Sequence, residues 1–339
     1  MSLYRNIDRS KYQFDFICAS RKKICYEDEI KKLGGRIFYV TPRSESIIRN
    51  IKETEEIFKS NNYKIVHWHA NTLNNNIPAM IALKRPNTNV IIHSHSCWKS
   101  KNIKSLLYHY WHFFLLLKKK IVKMACSDDA GKWMFKSNDF ELIRNGVNIS
   151  KFLFNSNSRE KIRKSLNINS ETTVLGHVGG FNEAKNHTFL VDVFAKYLEL
   201  NPDSLLVLIG SGRLESNIRN KVKTLGIEEK VIFIGECKNT NEYYSAFDMF
   251  VFPSVYEGLG IALIEAQISG LQCFISDSIP CDAIITENVL RESVNNSSEH
   301  WANVINNNFK KNYSKDIKLE DKILLYDDKK LAQDVQKKI

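Results

Sequence analysis

The chain has 339 residues, of which 43% are hydrophobic and 26% charged, a balance typical of soluble globular proteins with room for two domains. The formal net charge is +11 and is uneven: residues 1–150 hold 26 Lys and Arg against 13 Asp and Glu, and the remainder holds 23 against 25. The basic half predicts an anionic partner, such as a membrane surface or a diphosphate-bearing lipid. We expect no nucleic-acid partner, because no helix-turn-helix, zinc-finger or RNP-like pattern accompanies the charge.

The seven cysteines are scattered, with neither a Cys-x-x-Cys pair nor a metal-like spacing to histidines. This usage predicts reduced thiols in a cytoplasmic protein. The first ten residues, MSLYRNIDRS, lack the apolar core of a secretory signal. We therefore expect a cytoplasmic location, with the basic half holding the protein peripherally at the inner face of the plasma membrane.

Strand-like and helix-like segments alternate along the sequence, which favours parallel α/β layers. In the first half the predicted strands are 14–19, 36–40, 65–69, 90–94, 123–127 and 140–143, and the predicted helices are 26–33, 45–60 and 129–135. In the second half the predicted strands are 173–178, 205–209, 231–234, 249–252 and 273–276, and the predicted helices are 189–200, 214–225 and 242–246. The polar string at 155–159, followed by the basic 161–164, predicts a hinge and a domain boundary near residue 155.

The most apolar stretch is residues 106–117, LLYHYWHFFLLL, followed by three lysines at 118–120. Twelve residues are too few to span a bilayer. One interpretation is a helix that dips its aromatic face into a membrane while the lysines contact anionic head groups. The favoured interpretation is a buried helix that covers the parallel sheet, and the two agree if only one face is buried.

Residues 253–266, PSVYEGLGIALIEA, follow a predicted strand and lead into a helix that begins near Gly260. Glu257 lies at the mouth of this helix and Glu265 about two turns inside it, so about 12 Å separates them along one side. The N–H groups and the positive dipole end of the helix suit a diphosphate. Gly258 and Gly260 let a ligand approach the backbone closely. The spacing therefore matches a sugar–diphosphate–ribose unit.

A second phosphate-directed loop follows the predicted strand 173–178. It contains Gly179 and Gly180 and, just before the next helix, Lys185. Gly210 opens a similar turn directly after the strand 205–209. Such turns are weak signals alone, but a lysine beside glycines at a helix start indicates phosphate binding.

The string Pro-Ser-x-x-Glu-Gly-x-Gly-x-x-x-x-Glu-Ala resembles the donor-site signature of family 4 glycosyltransferases, which are retaining enzymes of the GT-B fold. The resemblance implies two Rossmann-like parallel-sheet domains facing across a cleft: an acceptor-side domain at 1–155, a donor-binding domain at 156–310 and a helical tail at 311–339. Residues 3–33 are similar to the exopolysaccharide and capsule branch of this family.

The reaction implied by the resemblance moves a hexose from a nucleotide-diphosphate sugar to a glycan with retention. UDP is the expected nucleotide, and the acceptor is a glycan or a polyprenyl-diphosphate-linked glycan in exopolysaccharide, capsule or O-antigen synthesis. Glu257 would contact hydroxyls of the donor sugar, and Glu265 those of the ribose. The leaving diphosphate would be held by Lys185 and by backbone N–H groups in a donor site lined by Gly258, Leu259, Gly260, Ile261, Gly179, Gly180 and Gly210.

Gly180 departs from the family pattern, because relatives carry an arginine there. The loss of an arginine fork would weaken donor binding. No metal or other cofactor is implied. The sequence has no Asp-x-Asp, and the cationic loop and the helix N-terminus would neutralise the diphosphate in place of a metal.

His95, after the predicted strand 90–94, matches a position where many relatives have a histidine facing the donor sugar. It would hold the sugar and steady the charge on the anomeric centre, with His93 as a weaker candidate. His67, His69 and Asn71 would line the acceptor cleft. Asn145 and Gly146 resemble a family turn that we interpret as structural.

In relatives of this branch a first strand and a glycine-rich loop precede residues 3–33, whereas this sequence starts within the helix that would follow them. The start is then truncated or mis-assigned, or the protein is a decayed copy. Two alternatives to a working transferase therefore stay open. One is a catalytically impaired homologue that acts as a nucleotide-binding partner subunit, and the other is a nucleotide-sugar epimerase of the same architecture.

Overall fold

The computed structural model of the chain describes residues 1–24, 26–74, 76–95, 103–117, 121–311, 315, 317 and 321–339. They form two compact units: Met1–Gly146 together with Tyr326–Ile339, and Val147–Leu325. The sequence predicted a boundary near 155 and a separate tail at 311–339. In the structure the change of unit comes after Gly146, and the last residues of the chain belong to the first unit.

The elements alternate as the sequence predicted. The strands are β1 Asp15–Cys18, β2 Arg36–Tyr39, β3 Ile65–Ala70, β4 Asn89–Ser94, β5 Val122–Ala125, β6 Glu141–Leu142, β7 Thr173–Val178, β8 Ser204–Ile209, β9 Val231–Gly235, β10 Met249–Phe252, β11 Gln272–Ser276 and β12 Val289–Glu292. The α-helices are α1 Ser2–Asn6, α2 Glu27–Lys32, α3 Ile47–Ser60, α4 Ile77–Ala82, α5 Ile103–Leu117, α6 Asp128–Phe135, α7 Ile149–Phe152, α8 Ser156–Ser165, α9 His187–Leu200, α10 Glu215–Thr224, α11 Thr240–Ala246, α12 Ile261–Ile268, α13 Ser298–Asn308, α14 Asp321–Leu324 and α15 Asp328–Gln336.

The second unit is built on a six-stranded parallel sheet in the order β12-β11-β10-β7-β8-β9. Its central strand β10 is a run of four buried apolar residues, as expected for a parallel strand covered on both faces. The strand order reverses between β10 and β7, because the chain continues from β7 to one side and from β10 to the other. Ligands of such sheets bind outside the carboxyl ends of the strands at this reversal. The loops after β7 and β10 are therefore placed to form a site.

The first unit contains two parallel sheets, the pair β1-β2 and the four-stranded sheet β3-β4-β5-β6. Helix α15 packs against α1, so the end of the chain returns to its beginning. Gly146 lies so close to the Cα atom of Asp328 that a side chain at position 146 would overlap it. This contact supports the structural interpretation of the turn at Gly146.

The polar string predicted to be a hinge is instead helix α8 of the second unit, capped at its start by Asn155. Arg159 and Arg163, one turn apart, both bind the carboxylate of Asp248, with N–O distances of 2.6 and 3.2 Å. A charged residue that looks solvent-facing in sequence, Arg159, is thus bound by a carboxylate 89 residues away.

Helix α5 has one buried face and one exposed apolar face. His109 and Leu116 are 2% and 3% exposed, so the preferred interpretation of a buried helix is right for their side. The other side presents large apolar side chains to solvent, at Ile103, Leu107, Tyr108, Trp111, Phe114 and Leu115. The three lysines that follow in sequence lie outside the described residues.

Each predicted strand overlaps an observed one, but the sequence missed β12. This strand has only four residues, Val-Leu-Arg-Glu, and lies at the sheet edge beside β11. Within the described ranges, no helix is long and apolar enough to cross a membrane. The cysteines that the structure describes are free thiols, at Cys18, Cys126, Cys237, Cys273 and Cys281.

Candidate functional site

The loop after β10 turns the chain into helix α12. Gly260 precedes the helix in the left-handed conformation, with φ of +87°, which glycine adopts at little cost. Leu259 is 2% exposed and anchors the loop in the core, while Ile261 begins the helix next to Gly260. The N–H groups of the first helical turn have no acceptor within the helix, and the positive end of the helix dipole lies there. Gly258 lies in the loop just before this turn, and the turn is suited to bind an anion.

Lys185 and Glu257, 72 residues apart in sequence, form an ion pair in which Nζ lies 2.7 Å from Oε1. Their side chains are only 18% and 12% exposed. The Nζ atom also lies 4.5 Å from the centroid of the Phe252 ring. The N–H of Val255 donates to the carbonyl of Ala184 at 2.7 Å, which joins the loops after β7 and β10. The structure thus brings together the two charged residues that the sequence assigned to one site.

Glycines keep the loops after β7 and β8 in close contact. Gly210 has φ of +137°, and a Cβ atom there would overlap the carbonyl oxygen of Gly179. A Cβ on Gly179 would approach the side chain of Lys185 to 3.1 Å, so the lysine stem lies directly over this glycine. Gly180 differs, because its φ is not left-handed and a Cβ would meet the carbonyl oxygen of Ser211 only at 3.4 Å. Position 180 therefore has room for a side chain.

Glu265 on α12 contacts the hydroxyl of Tyr244 on α11. The hydroxyl oxygen lies 3.0 Å from Glu265 Oε2 and 3.1 Å from the carbonyl oxygen of Ala262. Desolvation raises the pKa of Glu265 to about 7, although the hydrogen bond from Tyr244 opposes the shift. Tyrosine has one hydroxyl proton, so it donates to Glu265 when the carboxylate is ionised. When Glu265 is protonated, it donates to Tyr244, which then donates to Ala262.

Tyr244 is a site residue that the sequence did not predict. It lies 21 residues before Glu265 on helix α11. From sequence alone it looks like an ordinary apolar residue on the buried face of an amphipathic helix. The loops after β8 and β9 are also joined, because Ser211 donates a short hydrogen bond to Glu236. Neither contact has a local sequence signal, since each depends on the packing of neighbouring elements.

His95 belongs to the first unit, where its Nε2 lies 2.8 Å from Nδ1 of His69 on β3. Burial lowers the pKa of His95 to about 4, although a hydrogen bond to Asn145 opposes the shift. The imidazole is therefore neutral at pH 7, able to donate one hydrogen bond and accept another. The sequence interpretation of Asn145 as a turn residue missed this contact.

The other residues predicted in the first unit lie around His95. His67 and His69 are on β3, and His93 is on the adjacent β4, directly opposite His69. His93 is 2% exposed, and its Nε2 donates to the carbonyl of Ile143 at 3.1 Å, so it is held inside the unit. Asn71 is exposed just after β3.

The site in the second unit offers a cation, a carboxylate beside it, a helix N-terminus and a second carboxylate two turns along the helix. These are the groups needed to bind an anionic diphosphate flanked by two polyhydroxylated sugars. The first unit offers neutral imidazoles, which suit hydroxyl groups.

Comparison with known proteins agrees with this chemistry. Residues 1–151 match the family described as Glycosyltransferase Family 4, and residues 158–322 match the family described as Glycosyl transferases group 1. The chain is 34% identical over 290 residues to EpsF of Bacillus subtilis (strain 168), a provisionally assigned glycosyltransferase, across 82% of this chain and 75% of EpsF. It is 26% identical over 259 residues to the UDP-Gal:alpha-D-GlcNAc-diphosphoundecaprenol alpha-1,3-galactosyltransferase of Escherichia coli, across 71% of this chain and 66% of that enzyme.

Among solved structures, Anabaena HepE in complex with UDP and glucose superposes with a TM-score of 0.77 over 96% of this chain and 98% of HepE, at 16% identity. At this identity the likeness shows the fold, and it confirms the GT-B architecture that the sequence predicted. With the two family matches and the similarity to EpsF, it shows that the chain belongs to the GT-B glycosyltransferases.

Proposed function

We propose that the protein transfers a hexose from a UDP-sugar to a hydroxyl of a lipid-linked glycan, with retention of anomeric configuration. The process it serves is the synthesis of an exopolysaccharide, capsule or O-antigen on the cytoplasmic side of the membrane. The observation that carries the proposal is the Lys185–Glu257 pair beside the N-terminus of α12, at the strand-order reversal of the six-stranded sheet.

Donor binding exchanges partners at this pair. Without ligand, Lys185 and Glu257 neutralise each other at 2.7 Å. An entering diphosphate takes Lys185 as a charge-assisted donor, and Glu257 then accepts hydrogen bonds from hydroxyls of the donor sugar. Backbone N–H groups at Leu259, Gly260 and Ile261 add a fixed positive field. Stabilising the charge that develops on the leaving diphosphate is the main catalytic effect that this site supplies, and it requires no metal.

Glu265 binds the ribose in this proposal. Ribose hydroxyls are donors, so they favour the ionised form of the carboxylate over the protonated one. Because the pKa of Glu265 is about 7 without ligand, nucleotide binding near neutral pH is coupled to loss of a proton from this residue. Tyr244 fixes the carboxylate through its hydroxyl.

The choice of UDP and of a lipid-linked acceptor rests on the relatives. The Escherichia coli relative is named for transfer from UDP-Gal to a GlcNAc-diphosphoundecaprenol acceptor, and Anabaena HepE is seen in complex with UDP and glucose. Retention of configuration follows from the resemblance of residues 253–266 to the retaining family.

The exposed face of α5 supports a peripheral contact with an anionic membrane. Leu107, Trp111 and Phe114 lie at helical spacing on that face, and each is more than 60% exposed. Apolar and aromatic side chains on one helix face, within a unit of strongly positive charge, match the chemistry of an anionic bilayer surface. A polyprenyl-linked acceptor would be carried in that bilayer.

Replacement of Glu257 tests the donor-site proposal. Glu257→Ala removes the acceptor for the sugar hydroxyls, so we expect acceptor-dependent UDP release to fall by at least about a hundredfold while the fold persists. The matched control is Lys221→Ala, which breaks the ion pair with Asp192 between α10 and α9. The control should retain activity.

Two results would favour the alternatives to a transferase. If the protein is a nucleotide-binding partner subunit, the Glu257→Ala variant would still complement a strain that lacks the protein. An epimerase would invert a free nucleotide sugar with no acceptor present. Either result would contradict the transferase proposal.

A further inference from the structure

Four histidines stack along the adjacent strands β3 and β4: His67 and His69 lie on β3, His93 lies on β4, and His95 follows β4 directly. Ring centroids of neighbouring pairs lie 4.2 Å apart for His93 and His95 and 4.3 Å apart for His67 and His69. The arrangement follows from the parallel register, which sets His69 opposite His93, and from the two-residue period that points alternate side chains to one face.

Three of these residues bring ring nitrogens close together. One ring nitrogen from each of His67, His69 and His93 lies within 4.8 Å of the other two. The Nε2 atom of His67 is 3.2 Å from Nδ1 of His93. Two nitrogens bound to one tetrahedral Zn²⁺ at about 2.0–2.1 Å stand about 3.3 Å apart, so this pair already has the spacing of two ligands.

The surroundings fix the tautomer of His93. Its Nε2 must donate to the carbonyl of Ile143, because a carbonyl oxygen only accepts. In the neutral ring, Nδ1 then accepts the Nε2–H of His67, and a bound metal ion would take the place of that proton. A metal-binding histidine commonly has its second nitrogen donating to a backbone carbonyl in this way.

We propose that His67, His69 and His93 form a binding site for a transition-metal cation of the Zn²⁺ class. An all-nitrogen ligand set suits Zn²⁺, Co²⁺ and Ni²⁺ and not Mg²⁺ or Ca²⁺, which require oxygen ligands. The three histidines belong to the first unit, whereas Lys185, Glu257 and Glu265 belong to the second. Since His69 is hydrogen-bonded to His95 at 2.8 Å, ligation of His69 also restrains the histidine assigned to catalysis.

Titration with Co²⁺, a spectroscopic substitute for Zn²⁺, tests the site in the full chain. We expect one Co²⁺ per chain, a visible ligand-field band typical of tetrahedral geometry, and competition by Zn²⁺ but not by Mg²⁺. The variants His67→Gln and His69→Gln should each weaken binding by at least about tenfold. The control is His300→Gln, a half-exposed histidine of the second unit paired with Glu292, which should bind as the parent does.

Circular dichroism of each variant separates lost binding from lost folding, and the exposed His69 provides the variant with the smaller structural effect. Co²⁺ that binds equally to His67→Gln and His69→Gln, or no stoichiometric binding by the parent at micromolar metal, would overturn the proposal. The readout is independent of transfer activity, so a failure of the metal site leaves the donor-site proposal intact, and the reverse is also true.

Discussion

At the residue scale, Glu265 links the donor site to pH. Its pKa is raised from 4.5 to about 7, so the folded protein binds this proton more tightly than the unfolded chain. The contribution of Glu265 to stability is therefore most favourable below pH 4.5, falls as pH rises from 4.5 to 7, and stays unfavourable above 7. A shift of this size corresponds to roughly 3 kcal/mol.

Glu265→Gln removes this penalty. We expect the free energy of unfolding of the variant to exceed that of the parent at pH 8 by up to roughly 3 kcal/mol and to match it near pH 4.5. Urea denaturation at a series of pH values measures the difference. The control Glu299→Gln changes an exposed carboxylate of the same unit. It should change the free energy of unfolding by the same amount at pH 4.5 and at pH 8. Parallel stability curves for the parent and Glu265→Gln would show that Glu265 is not desolvated.

A substitution at position 180 is predicted to raise the affinity for UDP. A Cβ there meets no atom closer than 3.4 Å, and the backbone is not left-handed, so Gly180→Arg should fold. Its guanidinium would add a charge-assisted contact to the donor diphosphate, worth about 1.5–3 kcal/mol.

We expect Gly180→Arg to bind UDP about tenfold or more tightly by isothermal titration calorimetry. Gly180→Ala provides the control, because it tests the loss of glycine without adding charge, and its affinity should equal that of the parent. An unchanged Kd in a folded Gly180→Arg would place the diphosphate away from the β7 loop.

Local sequence was enough to predict that Lys185 and Glu257 lie close together, because each stands at a fixed offset from glycines that end a strand or begin a helix. It was not enough for Tyr244 or for the contact of His95 with Asn145. Those partners come from other elements, and only tertiary packing brings them into contact.

At the scale of elements, the exposed face of α5 carries the prediction of membrane binding. Replacing Trp111 and Phe114 together by Ser removes two aromatic side chains that are 65% and 63% exposed, so stability should change by less than about 1 kcal/mol. Partitioning onto vesicles containing phosphatidylglycerol should fall by at least about tenfold. Leu200→Ser, an exposed apolar residue of the second unit, is the control. Equal partitioning of the parent and the double variant would contradict the membrane contact.

The strands were the most predictable elements, because a parallel strand buried on both faces is a short apolar run with turn residues at its ends. Helix α8 was misread as a hinge because most of its side chains are polar, and only Ile162 and Arg163 are buried. Two of its arginines, Arg159 and Arg163, bind Asp248, a partner that no local pattern reveals. For α5 the sequence left two interpretations open, a buried helix and a membrane-facing helix, which agree if only one face is buried. The structure shows one buried face and one exposed apolar face.

At the scale of the whole molecule, the division into units was the least predictable feature. The sequence suggested a change near 155, but α7 and α8 belong with the second unit and α15 with the first. A return of the chain end to the first unit depends on contacts such as that of α15 with α1, which join residues at opposite ends of the sequence.

We propose that this chain moves a hexose from a UDP-sugar to an acceptor through the site at Lys185 and Glu257. The most direct test incubates the full chain with UDP-hexoses and a polyprenyl-diphosphate-linked glycan, follows UDP release, and assigns the new linkage by NMR. We predict that UDP is released only when the acceptor is present, and that the product keeps the anomeric configuration of the donor. An inverted linkage, conversion of the nucleotide sugar without acceptor, or nucleotide binding with no UDP release would contradict the account.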